Sequence, residues 1–188
     1  MPVLVFDTSP LSCFTRADRL GLLKQLTDGF ERVTTTAVMD EISNGCALYP
    51  VLEQALSLSW MKVVPVDGLD ELVAFAEYSS RLVVGNHNVG EASVLAWAEV
   101  NGGIAVMDDQ TAVSCGRERG VDVKRTLALI ARGVRKGILQ SSESSGLVDD
   151  LIRAGARYPC TGSEFMQWAS ENGLLISSTP DDSPEPIR

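Results

Sequence analysis

Short apolar runs alternate with stretches of helical hydrophobic spacing along the chain as far as residue 136. Residues 3–6 form an apolar run that predicts a buried strand, and the Asp-Thr-Ser-Pro that follows is typical of a helix start. Leucine spacing then predicts a single helix that continues to about Leu26. By the same criteria we expect strands at residues 32–35, 61–66, 103–107 and 121–123, and helices at residues 37–42, 51–57, 69–78, 91–100, 110–119 and 126–136.

This alternation predicts an α/β fold, a three-layer parallel sheet flanked by helices, because short strand-to-helix connections are typical of parallel sheets. Residues 141–145 have the composition of a linker, and helices at residues 147–154 and 163–171 are expected to follow it. We therefore expect a main domain over residues 1–139 and a small C-terminal helical extension over residues 140–175. The tail over residues 176–188 contains mostly Ser, Pro and acidic residues and is expected to be unstructured.

Composition limits the chemistry that this chain can perform. The 188 residues are 45% hydrophobic, which is enough for one domain with a real core and a modest appendage. Their net charge of −9 disfavours non-specific attraction to nucleic acid or to anionic membranes. The single histidine, His87, excludes mechanisms that need several histidines, and its polar neighbours predict a surface position.

Four cysteines without a close pair indicate reduced core thiols rather than a zinc site or a redox motif. The N-terminus lacks the features of a signal peptide, and no apolar run approaches membrane-spanning length. We therefore expect a soluble, cytoplasmic protein with no membrane partner.

Acidic residues follow the predicted strands or begin predicted helices. Asp7, Asp108 and Asp109 come directly after two of the strands, so they belong at the carboxyl edge of a parallel sheet. Glu91 shares a helix face with apolar residues, and Glu41 lies one turn from Ala37 and Val38, so both are expected to face inward.

Several carboxylates at one edge repel one another unless a cation lies between them. A hard divalent ion, Mg²⁺ or Mn²⁺, prefers oxygen ligands. Such an ion lowers the pKa of a bound water and polarises a phosphoryl oxygen, so phosphodiester hydrolysis would need no histidine.

The same residues resemble the PIN-domain ribonucleases, specifically the VapC-type toxins and their toxin-like relatives. The resemblance lies in strand-Asp7-Thr8-Ser9, in Glu41 on the following short helix, in Gly90-Glu91-Ala92 and in Met107-Asp108-Asp109. It covers about residues 3–139, the predicted nuclease domain, and the later helices are similar to an extension found in some relatives.

The resemblance implies a metal-dependent endoribonuclease in which Asp7, Glu41, Glu91 and Asp109 surround Mg²⁺ or Mn²⁺. Thr8 or Ser9 would orient one of these carboxylates. The final acid is doubled in this chain, so either Asp108 or Asp109 could face the metal; we favour Asp109, which matches the last Asp of the pattern.

RNA contact requires positive charge, and the segment over residues 117–136 carries seven basic and two acidic residues, a net +5. Taken alone, such a segment is more typical of a solvated helix face than of an RNA site. Its nearness to Asp109 makes four of its residues candidates for RNA contact, namely Arg117, Arg119, Lys124 and Arg125.

We expect the toxin of a toxin–antitoxin pair, with RNA as substrate, a cognate antitoxin as protein partner and a homodimer as the assembly. The alternative is a catalytically inactive PIN-like module that binds RNA or protein. The presence of acids at all four positions argues against that alternative.

Overall fold

A single parallel sheet organises the molecule. The computed structural model describes residues 1–85 and 87–176. The strands within that part of the chain lie in the order β3-β2-β1-β4-β5, and every neighbouring pair is parallel. They are β1 (Val3–Phe6), β2 (Glu31–Thr35), β3 (Lys62–Val64), β4 (Ile104–Val106) and β5 (Val123–Lys124).

Helices connect the strands and cover the sheet, which confirms the predicted three-layer parallel α/β fold. The second connection also contains a 3₁₀ helix at Pro50–Ser57. The α-helices are α1 (Thr8–Arg16), α2 (Leu20–Leu26), α3 (Thr36–Gly45), α4 (Leu69–Leu82), α5 (Val89–Asn101), α6 (Gln110–Glu118), α7 (Thr126–Arg135), α8 (Ser141–Arg153) and α9 (Phe165–Glu171).

The central strands β1 and β4 fix the position of the candidate site. Val5 of β1 pairs with Val33 of β2 on one side and with Ala105 of β4 on the other, and all three side chains are buried. The strand order reverses between β1 and β4, so a crevice forms outside their carboxyl ends, where parallel sheets bind ligands. Asp7 directly follows β1, and Asp108 comes two residues after the end of β4, so both lie at that edge.

Two local predictions were wrong. The helix expected to reach Leu26 without interruption is broken into α1 and α2, because the chain turns at Asp18, whose φ of 55° is left-handed. The linker predicted at residues 141–145 is the first turn of α8. Glu143 accepts a hydrogen bond from the Gln140 amide at 2.7 Å, and Ser144 is fully buried, so this serine-rich segment caps and begins a helix.

The helical extension shares the core of the main domain. Leu147, Val148 and Leu151 of α8 and Phe165 of α9 are buried within the same apolar cluster as the sheet. Arg19 pairs with Asp150 of α8 at 2.6 Å, which joins the extension to the corner between α1 and α2. Of the tail predicted over residues 176–188, only Ile176 is within the described residues, and it is exposed.

Three of the four cysteines and the single histidine lie where the sequence predicts them. All four cysteines are free; Cys13, Cys115 and Cys160 are buried and Cys46 is half-buried. His87 is exposed, as expected. No helix within residues 1–85 and 87–176 is long and apolar enough to cross a membrane.

Candidate active site

Asp7 is the most deeply buried acid of the site, with 1% of its surface exposed. It caps the N-terminus of α1, and the Ser9 amide donates a hydrogen bond to its Oδ2 at 3.3 Å. Within the described residues its other oxygen, Oδ1, is buried and has no hydrogen-bond partner. Burial raises the pKa of this carboxyl well above its usual value, and the neighbouring charges of Glu91 and Glu41 raise it further.

Glu41 is held by two donors from different helices. The Thr8 hydroxyl at the start of α1 donates to its Oε2 at 2.5 Å, and the Gly90 amide at the start of α5 donates to its Oε1 at 2.8 Å. Glu41 itself lies on α3, so these bonds bring the beginnings of α1 and α5 together around one carboxylate. The Ser9 side chain, the other residue predicted to orient a carboxylate, is exposed; it is the Ser9 backbone that contacts Asp7.

Gly90 allows the close approach of Glu41. A Cβ at this position would lie 2.6 Å from Glu41 Oε2, which is shorter than any normal contact. The glycine therefore has a steric role, because it leaves room for the Glu41 carboxylate. The sequence alone does not reveal this role. Its only signal in the sequence was its place directly before Glu91.

A buried pair of hydroxyls supports the same junction. Thr35 caps the N-terminus of α3, accepting from the Val38 amide at 3.3 Å, and its hydroxyl lies 2.7 Å from that of Ser93. Ser93 in turn donates to the Gly90 carbonyl at 2.7 Å. Because Ser93 has a single proton to give, Thr35 must donate to Ser93. Sequence reasoning missed both residues, although a threonine at a strand-to-helix junction is a typical cap signal.

Glu91 lies in the first turn of α5 and is half-buried. Burial raises the pKa of its carboxyl, and the charges of Glu41 and Asp109 raise it further. Glu91 is therefore repelled by acids from two other strand-to-strand connections.

The doubled acid after β4 divides into two different environments. Both Asp108 oxygens are occupied by Thr126, whose amide donates at 2.9 Å and whose hydroxyl donates at 2.7 Å. Asp109 is exposed, caps α6 through a 2.9 Å bond from the Ala112 amide, and contributes to the raised pKa of Glu91. The geometry therefore favours Asp109 as the acid that faces the others, while Asp108 anchors the start of α7.

This donor set fits a hard divalent cation, although the side chains are not arranged around one. Within residues 1–85 and 87–176, no three His, Cys, Asp or Glu side chains form a group that could hold a metal ion. The chemistry of the site nevertheless fits, because Asp7 Oδ1 is buried with no donor in the described part of the chain and the neighbouring acids repel it. Carboxylate oxygens are the ligands that Mg²⁺ and Mn²⁺ prefer.

The four candidate RNA-binding residues have partners within the protein. Arg119 stacks over Tyr78 and pairs with Glu77 and with Glu99, the latter at 2.7 Å. The remaining contacts are Arg117 to the Val123 carbonyl at 3.4 Å, Lys124 to Asp122 at 3.6 Å and Arg125 to the Gln110 side chain.

The positive charge of Arg125 lowers the pKa of Asp108 and so partly offsets the effect of burial on that carboxyl. Arg119 instead joins α4, α5 and α6, so its side chain has a structural role. RNA contact by these four residues remains a prediction.

A five-stranded parallel sheet that gathers acidic residues at the carboxyl ends of its central strands is consistent with the architecture of a PIN domain. The sequence matches the model of the family DUF3368, described as a PIN domain, over residues 3–166. This chain therefore belongs to the PIN-domain family. The match extends past residue 139, through α8 and into α9. PIN domains are typically nucleases, so this membership indicates a nuclease-type function. A search of curated proteins finds no match to the sequence.

Proposed function

We propose that this protein is a metal-dependent endoribonuclease that hydrolyses RNA phosphodiester bonds. The observation that carries the proposal is the buried Asp7 carboxylate, whose Oδ1 has no donor among the described residues and which lies beside other acids in a PIN domain. Burial of an unpaired carboxylate is costly, and retaining one at the functional edge of the sheet is best explained by a cation that it binds.

Asp7, Glu91 and Asp109 would hold a Mg²⁺ or Mn²⁺ ion, with Glu41 as the fourth acid. The bound ion would supply Lewis-acid activation of a water and of the phosphoryl group. Thr8 and the Gly90 amide hold Glu41 in one orientation, so that side chain loses little freedom when the site forms. Thr126 restrains Asp108 in the same way, and Asp109, whose Oδ1 caps α6, would face the site with its other oxygen.

The biological role that we infer is that of a VapC-type toxin acting in the cytoplasm, with a cognate antitoxin as partner and a homodimer as the assembly. An antitoxin would neutralise the acid cluster by inserting a basic side chain into it, since such a side chain relieves the repulsion between the carboxylates as a metal ion does. This role depends on the ribonuclease activity and is tested after it.

The second candidate is a PIN-like module that binds RNA or protein without cleaving it. The lack of a preformed metal-holding group in the described part of the chain favours this candidate. The four acids argue against it, because a binding module would gain stability by losing them.

The test is cleavage of a single-stranded RNA by purified protein with Mn²⁺, with Mg²⁺ and with EDTA. We expect cleavage with either ion, none in EDTA, and a loss of at least about 100-fold in Asp7→Asn. Asp40→Asn is the matched control, because it removes an exposed carboxylate next to Glu41 and should leave the rate unchanged. Cleavage that persists in EDTA or in Asp7→Asn would contradict the metal-dependent mechanism, and tight RNA binding without cleavage would favour the binding module.

A further inference from the structure

A cavity of about 410 Å³ lies between the end of α1 and the end of α8. Its charged lining consists of three arginines, Arg16, Arg19 and Arg153, and two aspartates, Asp18 and Asp150. The lining therefore carries one net positive charge in a chain whose total is −9. Thr8 begins α1 at the acid cluster and Arg16 ends it, so the two sites are separated by about 12 Å along the helix.

Arg16 is held in place without being neutralised. Its guanidinium stacks on the Tyr49 ring, 3.8 Å from the centroid. The backbone of Gly155 also lies against it, so that a Cβ at that position would be 3.0 Å from Arg16 Nη1. In the part of the chain that the structure describes, no carboxylate or carbonyl accepts a hydrogen bond from this guanidinium. A planar group fixed in this way presents unused donors to the cavity.

Asp150 positions the other two arginines. It accepts from Arg19 Nη2 at 2.6 Å and from Arg19 Nε at 3.1 Å through one oxygen, and it pairs with Arg153 through the other. One negative charge thus holds two positive ones. Asp18 is exposed, at the left-handed turn between α1 and α2.

This arrangement fits a phosphate group. Forked guanidinium donors match the oxygens of a phosphate, and a partly neutralised set of three arginines leaves room for one more anion. An RNA strand carries one phosphate per nucleotide, so a strand that reaches both the acid cluster and this cavity would bring a phosphate to each. The rest of the acidic chain would repel the strand, which makes a local cationic site necessary.

We propose that this cavity binds a backbone phosphate of the RNA substrate, away from the bond that is cleaved. The inference rests on the proposed ribonuclease function. The ion pairs of Asp150 also fasten α8 to the main domain, and that role alone explains Arg19 and Arg153. It does not explain Arg16, which has no such partner among the described residues, and Arg16 is therefore the residue to test.

The first experiment measures binding of a fluorescent single-stranded RNA by anisotropy, in EDTA and at low salt. We expect Arg16→Gln to weaken binding about tenfold, because a charge-assisted, preorganised contact is lost. Arg157→Gln is the matched control, because it removes the same charge. Arg157 is exposed in the same extension and lies outside the cavity lining. It should change binding less than about twofold. Equal effects of the two variants would overturn the proposal, since only overall charge would then matter.

Two further variants keep the test decisive. Arg16→Lys retains the charge but not the forked donors, so we expect it to restore less than half of the lost affinity, measured as free energy. If Arg16→Gln does not fold, Arg153→Gln replaces it, because that side chain is 71% exposed.

Inorganic phosphate should raise the melting temperature of the wild type but not of the folded variant, at constant ionic strength. Wild-type protein that binds phosphate but not RNA would overturn the assignment to RNA.

Cleavage kinetics with Mn²⁺ separate this proposal from the proposed function. We expect Arg16→Gln to raise KM about tenfold and to leave kcat unchanged, since the contact is remote from the reacting bond. Cleavage with an unchanged KM would overturn the phosphate site and leave the ribonuclease function standing. If RNA binding depends on Arg16 but no RNA is cleaved, the proposed ribonuclease function is overturned and the phosphate site stands.

Discussion

Asp7 is unfavourable for folding in the absence of a cation, although the proposed function requires it. Its carboxylate is buried, one of its oxygens has no donor among the described residues, and the other acids of the site repel it. Each of these features opposes the charged form that a metal ligand requires. The cost is expected to disappear when a cation binds.

The first prediction concerns the stability of the metal-free protein. Asp7→Asn should raise the free energy of unfolding at pH 7 in EDTA by about 1–2 kcal/mol, because it removes a buried, repelled charge and retains an oxygen for the Ser9 amide. Urea unfolding followed by circular dichroism measures the change. Asp40→Asn, which removes an exposed charge, should have little effect. A clear loss of stability in Asp7→Asn would show that the carboxylate is a structural cap only.

The pH dependence of stability has a defined sign. The pKa of Asp7 in the folded protein is raised above its usual value of 3.8, so the folded state holds the proton more tightly than the unfolded state does. Stability relative to Asp7→Asn is therefore fully present below about pH 4 and is lost as the pH rises through the folded pKa. Urea unfolding of both proteins in EDTA from pH 4 to pH 8 measures this difference. A difference that stays constant with pH would contradict the raised pKa.

Gly90 gives a steric prediction at the same site. Gly90→Ala should displace Glu41 from the Gly90 amide and lower cleavage at least about tenfold, because the added methyl would lie 2.6 Å from Glu41 Oε2. Gly21→Ala is the matched control: Gly21 is also helical, has open space around it, and should gain up to about 1 kcal/mol of stability with no loss of activity. Equal cleavage rates for the two variants would mean that the position of Glu41 does not matter.

At the level of elements, hydrophobic periodicity predicts those strands and helices whose positions depend on local sequence. The buried strand β1 and the helix α3 were placed within a few residues, because their apolar spacing is set by the side that they bury. The break at Asp18 is not predicted, because the leucines from Leu20 to Leu26 have helical spacing beyond it and no Gly or Pro marks the turn. The beginning of α8 is wrongly predicted to be a linker, because serine-rich segments are typical of linkers. Only the structure shows that Ser144 is buried.

The candidate site shows the same division between sequence and packing. Strand ends and helix faces were enough to select the acidic residues, since both follow from local order. The contacts that hold Glu41 join residues 33 and 49 positions apart, so no local pattern could reveal them. The different roles of Asp108 and Asp109 likewise depend on Thr126, which is distant in sequence from both.

The extension supplies a prediction at the element scale. Leu151→Ala should lower the free energy of unfolding by about 2–5 kcal/mol, because Leu151 is fully buried in the core that α8 shares with the sheet. Leu72→Ala on α4, where the leucine is 48% exposed, should cost much less. Urea unfolding compares the two variants. A similar small loss in both would mean that the extension is not part of the same folding unit.

Across the whole molecule, the net charge of −9 is unevenly distributed along the chain. The basic segment over residues 117–136 has a net +5, but the structure commits Arg119 to Glu77 and Glu99 and Lys124 to Asp122. These ion pairs offset part of the positive charge of the segment. Recognition of RNA would also depend on two local features, the cation at the acid cluster and the arginine cavity at the other end of α1.

The central claim is that the acid cluster binds the divalent ion that cleavage requires. Calorimetric titration with Mn²⁺ tests it most directly, on the wild type, Asp7→Asn and the control Asp40→Asn. The account predicts saturable binding to the wild type and to Asp40→Asn, and affinity for Asp7→Asn at least about tenfold weaker. Equal Mn²⁺ affinity in Asp7→Asn and the wild type, or no binding to either, would contradict it.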